Sequence, residues 1–110
     1  MKLTKNIPAT LVEKDLILII SQLEKDLGLP KNYFGENLTL DLVKKTMFHW
    51  VDAMLEERPG ELFQALYKVD LPDHITQKAL KSDEPATDLS LYIIYRVYLK
   101  VKLRQEYGSN

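Results

Sequence analysis

The sequence contains no cysteine, and this absence removes several kinds of chemistry at once. Disulfide bonds, thiol nucleophiles and thiolate metal ligands all require cysteine, so this chain cannot use any of them. The absence of cysteine also fits a reducing compartment, and we therefore expect a cytoplasmic protein.

Glycine is scarce and long apolar runs are missing. The chain has only four glycines and carries neither a phosphate-binding loop nor a dinucleotide-binding fingerprint, and no serine lies in a Gly-x-Ser-x-Gly motif. The longest uncharged apolar run, 16–23, is much shorter than the roughly 20 residues of a membrane span. Residues 1–8 lack the apolar region of a signal peptide. We therefore expect a soluble protein.

The chain also lacks a strong charge of either sign. Its net charge is −1, with 45% apolar and 28% charged residues, which is the balance of an ordinary globular protein. Such a charge gives no general attraction to nucleic acid or to anionic membranes. The length of 110 residues predicts a single domain, 1–110, in which residues 1–9 form a loose N-terminal arm.

Apolar residues recur at helical spacing along most of the chain and predict an all-α bundle of about five helices. Thr10 and Glu13 form a capping box at the start of the first helix, and Gly28 and Pro30 follow its end. Pro59 ends the second helix and suits the first turn of the third. The predicted helices are 11–27, 39–57, 60–68, 71–81 and 86–107.

The last segment, 89–107, carries two conflicting patterns. Its apolar residues occupy alternate positions from Leu89 to Leu103, which is typical of a strand. The segments before it read as helices and offer no strand to pair with, and the cations late in the segment suit a helix C-terminus. We therefore predict a helix. It has too many apolar residues for one face, so the rest of the chain or a partner must cover more than one side.

Two stretches in the second half of the chain resemble a known group of proteins. The first is Leu-Phe-Gln-Ala-Leu-Tyr-Lys-Val-Asp-Leu-Pro-Asp at 62–73, and the second is the charged segment 89–107. Together they resemble short, uncharacterised bacterial proteins in which a Leu-Tyr-(Arg or Lys)-(Ile or Val)-Asp element precedes a small helix and a long charged C-terminal helix. The resemblance implies a bacterial source and a helical last segment, and it brings no activity or cofactor. A looser likeness, in length and helix number only, is to bacteriocin immunity proteins.

No combination of side chains predicts catalysis or metal binding. His49, Asp52 and Glu56 are spaced to share one helix face, which is a geometry that metal ligands use. The chain has only two histidines, far apart in sequence, so a solvated helix face is the preferred interpretation. Paired carboxylates occur at predicted helix ends, where capping accounts for them. We therefore predict no enzyme activity, no metal and no cofactor.

A mixture of cations and tyrosines marks the last helix. Basic side chains beside aromatic ones are typical of grooves that bind single-stranded nucleic acid. A helix C-terminus also attracts cations, and the net charge does not favour a basic surface, so we prefer this second interpretation. The candidate nucleic-acid contacts are Arg96, Lys100, Lys102 and Arg104.

The tyrosines of this helix predict a protein interface. The segment 89–107 holds four of the six tyrosines, and tyrosine is enriched where proteins meet. The candidate interface residues are Tyr92, Tyr95, Tyr98 and Leu99, and the simplest partner is a second copy of the chain. A central helix wrapped by its own chain explains the same residues nearly as well.

These observations predict a non-catalytic bacterial protein of the cytoplasm that binds another protein, either a second copy of itself or a different chain. One alternative is an accessory protein that contacts nucleic acid through residues 92–104. Another is a small immunity or antitoxin-type protein that binds and neutralises a single target. No small-molecule substrate is predicted.

Overall fold

Five α-helices make up most of the chain in the computed structural model, which describes residues 4–8 and 11–108. They are α1 (Glu13–Leu27), α2 (Leu40–Glu57), α3 (Pro59–Val69), α4 (Asp73–Leu80) and α5 (Pro85–Tyr107). The prediction of a small all-α bundle is confirmed. Each predicted helix corresponds to one of these helices, and the ends differ by two residues at most. No helix in the described residues is both long enough and apolar enough to cross a membrane.

The C-terminal helix α5 is the centre of the bundle, because the other four helices all pack against it. Ile93, Ile94 and Val97 are fully buried, and buried side chains cover more than half of the circumference of α5. A helix that is surrounded in this way needs apolar residues on several sides, so apolar residues at every second position are compatible with a helix here. The predicted helix in this segment is confirmed.

Local signals fix the ends of the first two helices. The Gly28 residue after α1 has φ +66°, a left-handed conformation that costs glycine nothing, and its N–H donates to the Glu24 carbonyl. The Thr39 hydroxyl before α2 accepts a hydrogen bond of 3.1 Å from the Leu42 N–H. Thr10, the first residue of the predicted capping box, lies outside the described residues, and α1 begins at Glu13.

Part of the predicted N-terminal arm is attached to the bundle. Ile7 is buried in the core, and the Lys5 Nζ lies 3.1 Å from the Asp88 Oδ1. Residues 4–8 are therefore held by an apolar contact and an ion pair rather than loose. The other residues of the predicted arm, 1–3 and 9, lie outside the described residues.

The turn between α3 and α4 is formed at Asp70. The sequence Asp-Leu-Pro-Asp at 70–73 is typical of a helix start and predicts that Asp70 caps the fourth helix. Asp70 instead ends α3, with φ 65° and its N–H donating to carbonyls of α3. Asp70 can do so because a short polar side chain tolerates the left-handed conformation. The turn directs α4 away from α3, so that both helices pack on α5 but not closely on each other. A groove therefore lies between them.

Candidate functional site

The predicted interface on α5 is largely inside the molecule. Tyr92 is 4% exposed and Leu99 is 6% exposed, because neighbouring helices cover this part of α5. These two side chains leave no surface for a partner, so their predicted role is wrong for this fold. Tyr95 and Tyr98 are half-buried, with ring centroids 5.6 Å apart, and both pack against the core.

The predicted nucleic-acid contacts are paired with other parts of the chain. The Arg96 guanidinium donates to the Asp70 carbonyl and to its Oδ2, each at 3.0 Å. The Lys100 Nζ lies 2.8 Å from the Asp26 Oδ2 and also donates to the Lys68 carbonyl. Both cations therefore stabilise contacts between helices instead of forming a free basic surface.

The remaining cations of α5 complete a polar seam between α1 and α5. The Lys102 Nζ donates to the Asp15 Oδ2 at 2.7 Å, and the Gln105 amide donates to the Asp15 Oδ1 at 2.8 Å. The Arg104 guanidinium donates to the Gln22 Oε1 at 2.8 Å. The polar seam consists of Asp15, Gln22 and Asp26 of α1 with Lys100, Lys102, Arg104 and Gln105 of α5.

The polar seam shifts the pKa values of Asp15 and Lys102, which form one of its ion pairs. The hydrogen bond from Lys102 is the main cause that holds the pKa of the Asp15 carboxyl below its usual range, and the hydrogen bond from Gln105 acts in the same direction. The same contact with Asp15 raises the pKa of the Lys102 ammonium. Both groups therefore remain charged over a wide pH range. All four predicted nucleic-acid residues have internal partners, so the structure offers no observation that favours nucleic-acid binding.

The sequence signal for the polar seam lies in α1. Asp15, Gln22 and Asp26 are seven and four residues apart, which places them on one side of a helix. All three are buried, although their types predict exposure. The apolar stripe of α1 alone does not predict these three buried polar residues.

The three residues that have the spacing of metal ligands lie on the outer side of α2. His49, Asp52 and Glu56 are all exposed on α2. Across 4–8 and 11–108, no group of three or more potential ligand side chains is placed to hold a metal ion. Their pattern therefore corresponds to a solvated helix face.

A groove with a volume of about 640 Å³ lies between α3 and α4. Buried Leu66 and Leu71 form its floor. Phe63 and Tyr67 stand on the α3 side and are 42% and 89% exposed. An apolar floor beside two exposed aromatic rings is a surface that no part of the described chain covers. We call this surface the α3–α4 groove.

The α3–α4 groove arises because the apolar stripe of α3 is wider than its contact with the core. The sequence predicts that Leu62, Phe63, Leu66 and Tyr67 form one inward face. Leu62 and Leu66 are buried as expected, whereas Phe63 and Tyr67 are turned to solvent. The prediction is wrong for the two aromatic residues because α4, which follows next in the chain, packs on α5 and leaves them uncovered.

Two smaller cavities have less regular linings. One of about 270 Å³ lies between Phe48, Leu55 and Pro85, and one of about 240 Å³ lies between Leu18, Val101 and Gly108. Neither combines a buried apolar floor with a pair of exposed aromatic rings. The α3–α4 groove is therefore the best candidate among these surfaces.

Comparisons with protein-family models, with curated proteins and with solved structures find no match to this chain. The interpretation of the α3–α4 groove consequently rests on its own shape and chemistry.

Proposed function

We propose that this protein is a non-catalytic interaction module that binds a partner protein through the α3–α4 groove. The observation that carries the proposal is the combination of Phe63 and Tyr67, exposed and one helical turn apart, with the buried apolar floor beside them. Exposed aromatic residues next to an apolar depression are the usual anchors of protein interfaces.

The chemistry of the α3–α4 groove favours binding over catalysis. Its polar lining consists of Gln64, Asp70, Asp73, Thr76 and Gln77, together with the tyrosine hydroxyl. This lining contains no histidine, which is the side chain most often used as a general base. The groove is also open along its aromatic edge, where a small ligand would remain largely in water, while a protein partner can cover the whole edge.

The proposal includes a bacterial cytoplasm as the site of action. The lack of cysteine and the resemblance of the second half of the chain support this setting. An immunity or antitoxin-type role would be one case of the same activity, since such a protein acts by binding its target.

Site-specific photo-crosslinking in the native host tests this proposal. A photoreactive phenylalanine analogue replaces Phe63 or Gln77 in the groove, and Lys45, which is exposed on α2, serves as the control position. We expect one discrete adduct with another protein from both groove positions and none from Lys45. The adduct should disappear when Tyr67→Ser is added. Equal adducts from groove and control positions, or no adduct from either groove position, would contradict the proposal.

A further inference from the structure

We infer that the α3–α4 groove accepts an amphipathic helix of a different protein, with lysine or arginine near the end that lies at the α3–α4 turn. This inference rests on the proposed function and specifies the chemistry of the partner. It follows from the dimensions of the groove, from the charges that line it, and from a comparison with a two-fold dimer built on the same surface.

The dimensions of the groove suit a short helix. The groove is lined by residues within 63–67 of α3, by 70–72 of the turn and by residues within 73–77 of α4, so each helical wall is about 8 Å long. A partner helix of about two turns reaches along these walls and past the turn, and would place its apolar residues at i, i+4 and i+7. A partner that adds a β-strand would need a sheet edge, and residues 4–8 and 11–108 contain no strand.

The charged side chains that line the groove are both carboxylates. Asp70 and Asp73 line its end at the turn, and no lysine or arginine lines it. The carboxylate of Asp70 is paired with Arg96, yet its side chain is 80% exposed and remains accessible to a partner. The Lys68 and Asp70 carbonyls near this end accept hydrogen bonds from Lys100 and Arg96, so the accessible negative charge comes from the Asp70 and Asp73 carboxylates. Cations on the partner complement this end.

A second copy of the chain fits the groove less well. In a two-fold dimer built on the groove, the same surface would face itself. The groove lining contains no lysine or arginine, so in either orientation of the two-fold axis the Asp70 and Asp73 carboxylates would find no cation in the facing groove. Because only another chain can supply that charge, a different protein is the favoured occupant.

A helix-display selection tests the inference directly. The library consists of amphipathic peptides about 14 residues long, with an apolar face and with Lys, Glu or Gln sampled equally at the flanking positions. Selection uses the wild-type protein, and the Phe63→Ser/Tyr67→Ser variant removes peptides that bind elsewhere. We expect enriched peptides with apolar residues at i, i+4 and i+7 and with lysine concentrated at one end.

Charge variants then examine the role of the two aspartates. Asp70→Asn keeps a residue that tolerates the left-handed conformation and keeps an oxygen acceptor for Arg96, and it is combined with Asp73→Asn. We expect the double variant to bind an enriched peptide about fivefold more weakly, and the loss to shrink at high salt. The matched control, Asp52→Asn/Glu56→Gln, makes the same charge change on exposed residues of α2 and should leave binding unchanged.

The outcomes separate this inference from the proposed function. The enriched peptides could depend on the groove and yet show no excess of lysine, or bind the Asp70/Asp73 variant as tightly as the wild type. Either result would contradict a basic partner, but it would leave the proposal that a partner docks in the groove intact. Failure to enrich any groove-dependent helix would overturn the helical occupant. A dimer in light scattering that Tyr67→Ser converts to monomer would assign the groove to a second copy. Only the crosslinking experiment bears on whether a cellular partner occupies the groove.

Discussion

At the scale of single residues, the same side chain plays opposite roles in two helices. Tyr92 on α5 is 4% exposed, whereas Tyr67 on α3 is 89% exposed. Both lie in helical stretches rich in apolar residues, so their local sequences predict much the same surroundings. Which of them meets solvent depends on which helices pack above it, and that is decided by the tertiary arrangement. The sequence-based prediction consequently selected interface tyrosines on the wrong helix for an open surface.

The two tyrosines should respond very differently to truncation. Tyr67→Ala is expected to change the free energy of unfolding by no more than about 0.5 kcal/mol, because exposed side chains contribute little to stability. Tyr92→Ala should cost about 3–5 kcal/mol, since it leaves a cavity in the core. Urea unfolding of both variants measures the difference. Similar losses in the two variants would show that Tyr67 is packed and that the groove is closed.

The ion pair between Asp15 and Lys102 should make stability depend on pH. The pKa of Asp15 is lowered by Lys102 in the folded protein, so its contribution is present above the usual pKa of an unfolded aspartate, about 3.9, and is lost as pH falls through the lower folded value. We expect the free energy of unfolding of the wild type to exceed that of Asp15→Asn at pH 6. The gap should narrow progressively below about pH 4.

Urea unfolding of both proteins at a series of pH values measures this gap. The raised pKa of Lys102 has the opposite sign: its contribution is present below the unfolded pKa and is lost as pH rises through the folded value. Asp52→Asn, an exposed carboxylate on α2, is the control and should show no such gap. A constant difference between wild type and Asp15→Asn across the acid range would contradict the assignment.

At the scale of helices, the sequence predicts where each helix begins and ends, but it does not predict which face of a helix is covered by its neighbours. The positions of the helices follow from caps and stop residues such as Thr39, Gly28 and Pro59, which act within a few residues of the chain. The side of α3 that faces the core depends on where α4 packs, and no local signal carries that information. The groove therefore could not be predicted from the sequence, although the apolar stripe of α3 contains its two aromatic residues, Phe63 and Tyr67.

Two glycines offer a matched test of backbone conformation. Gly28 and Gly60 both have open space where a Cβ would lie, so neither substitution to alanine creates a clash with a neighbouring atom. Gly28→Ala should destabilise the protein by about 1 kcal/mol, because Gly28 has φ +66°. Gly60→Ala lies inside helix α3 and should stabilise it by about 0.5 kcal/mol. Thermal unfolding compares the two, and equal shifts would refute the conformational explanation.

At the scale of the whole molecule, the central position of α5 has two consequences. It buries Tyr92 and Leu99, two of the four residues that the sequence assigned to a partner, and it ties the neighbouring cations into the polar seam and the Arg96–Asp70 contact. It also leaves α4, a helix of eight residues, packed closely against α5 alone. The helix that forms one wall of the groove is therefore the helix with the fewest neighbours, which is where local opening is expected.

Amide hydrogen exchange should reveal this difference in stability between the helices. We expect amides in 76–80 of α4 to exchange at least about tenfold faster than amides in 92–98 of α5, because opening α4 breaks fewer contacts than opening the centre of the bundle. Adding a peptide that binds the α3–α4 groove should slow exchange in 62–80 by a larger factor than in α2. Equal protection of α4 and α5 in the free protein would contradict the expected local opening. A larger slowing in α2 than in 62–80 would place the docking surface elsewhere, since the groove is lined by α3, α4 and the turn between them.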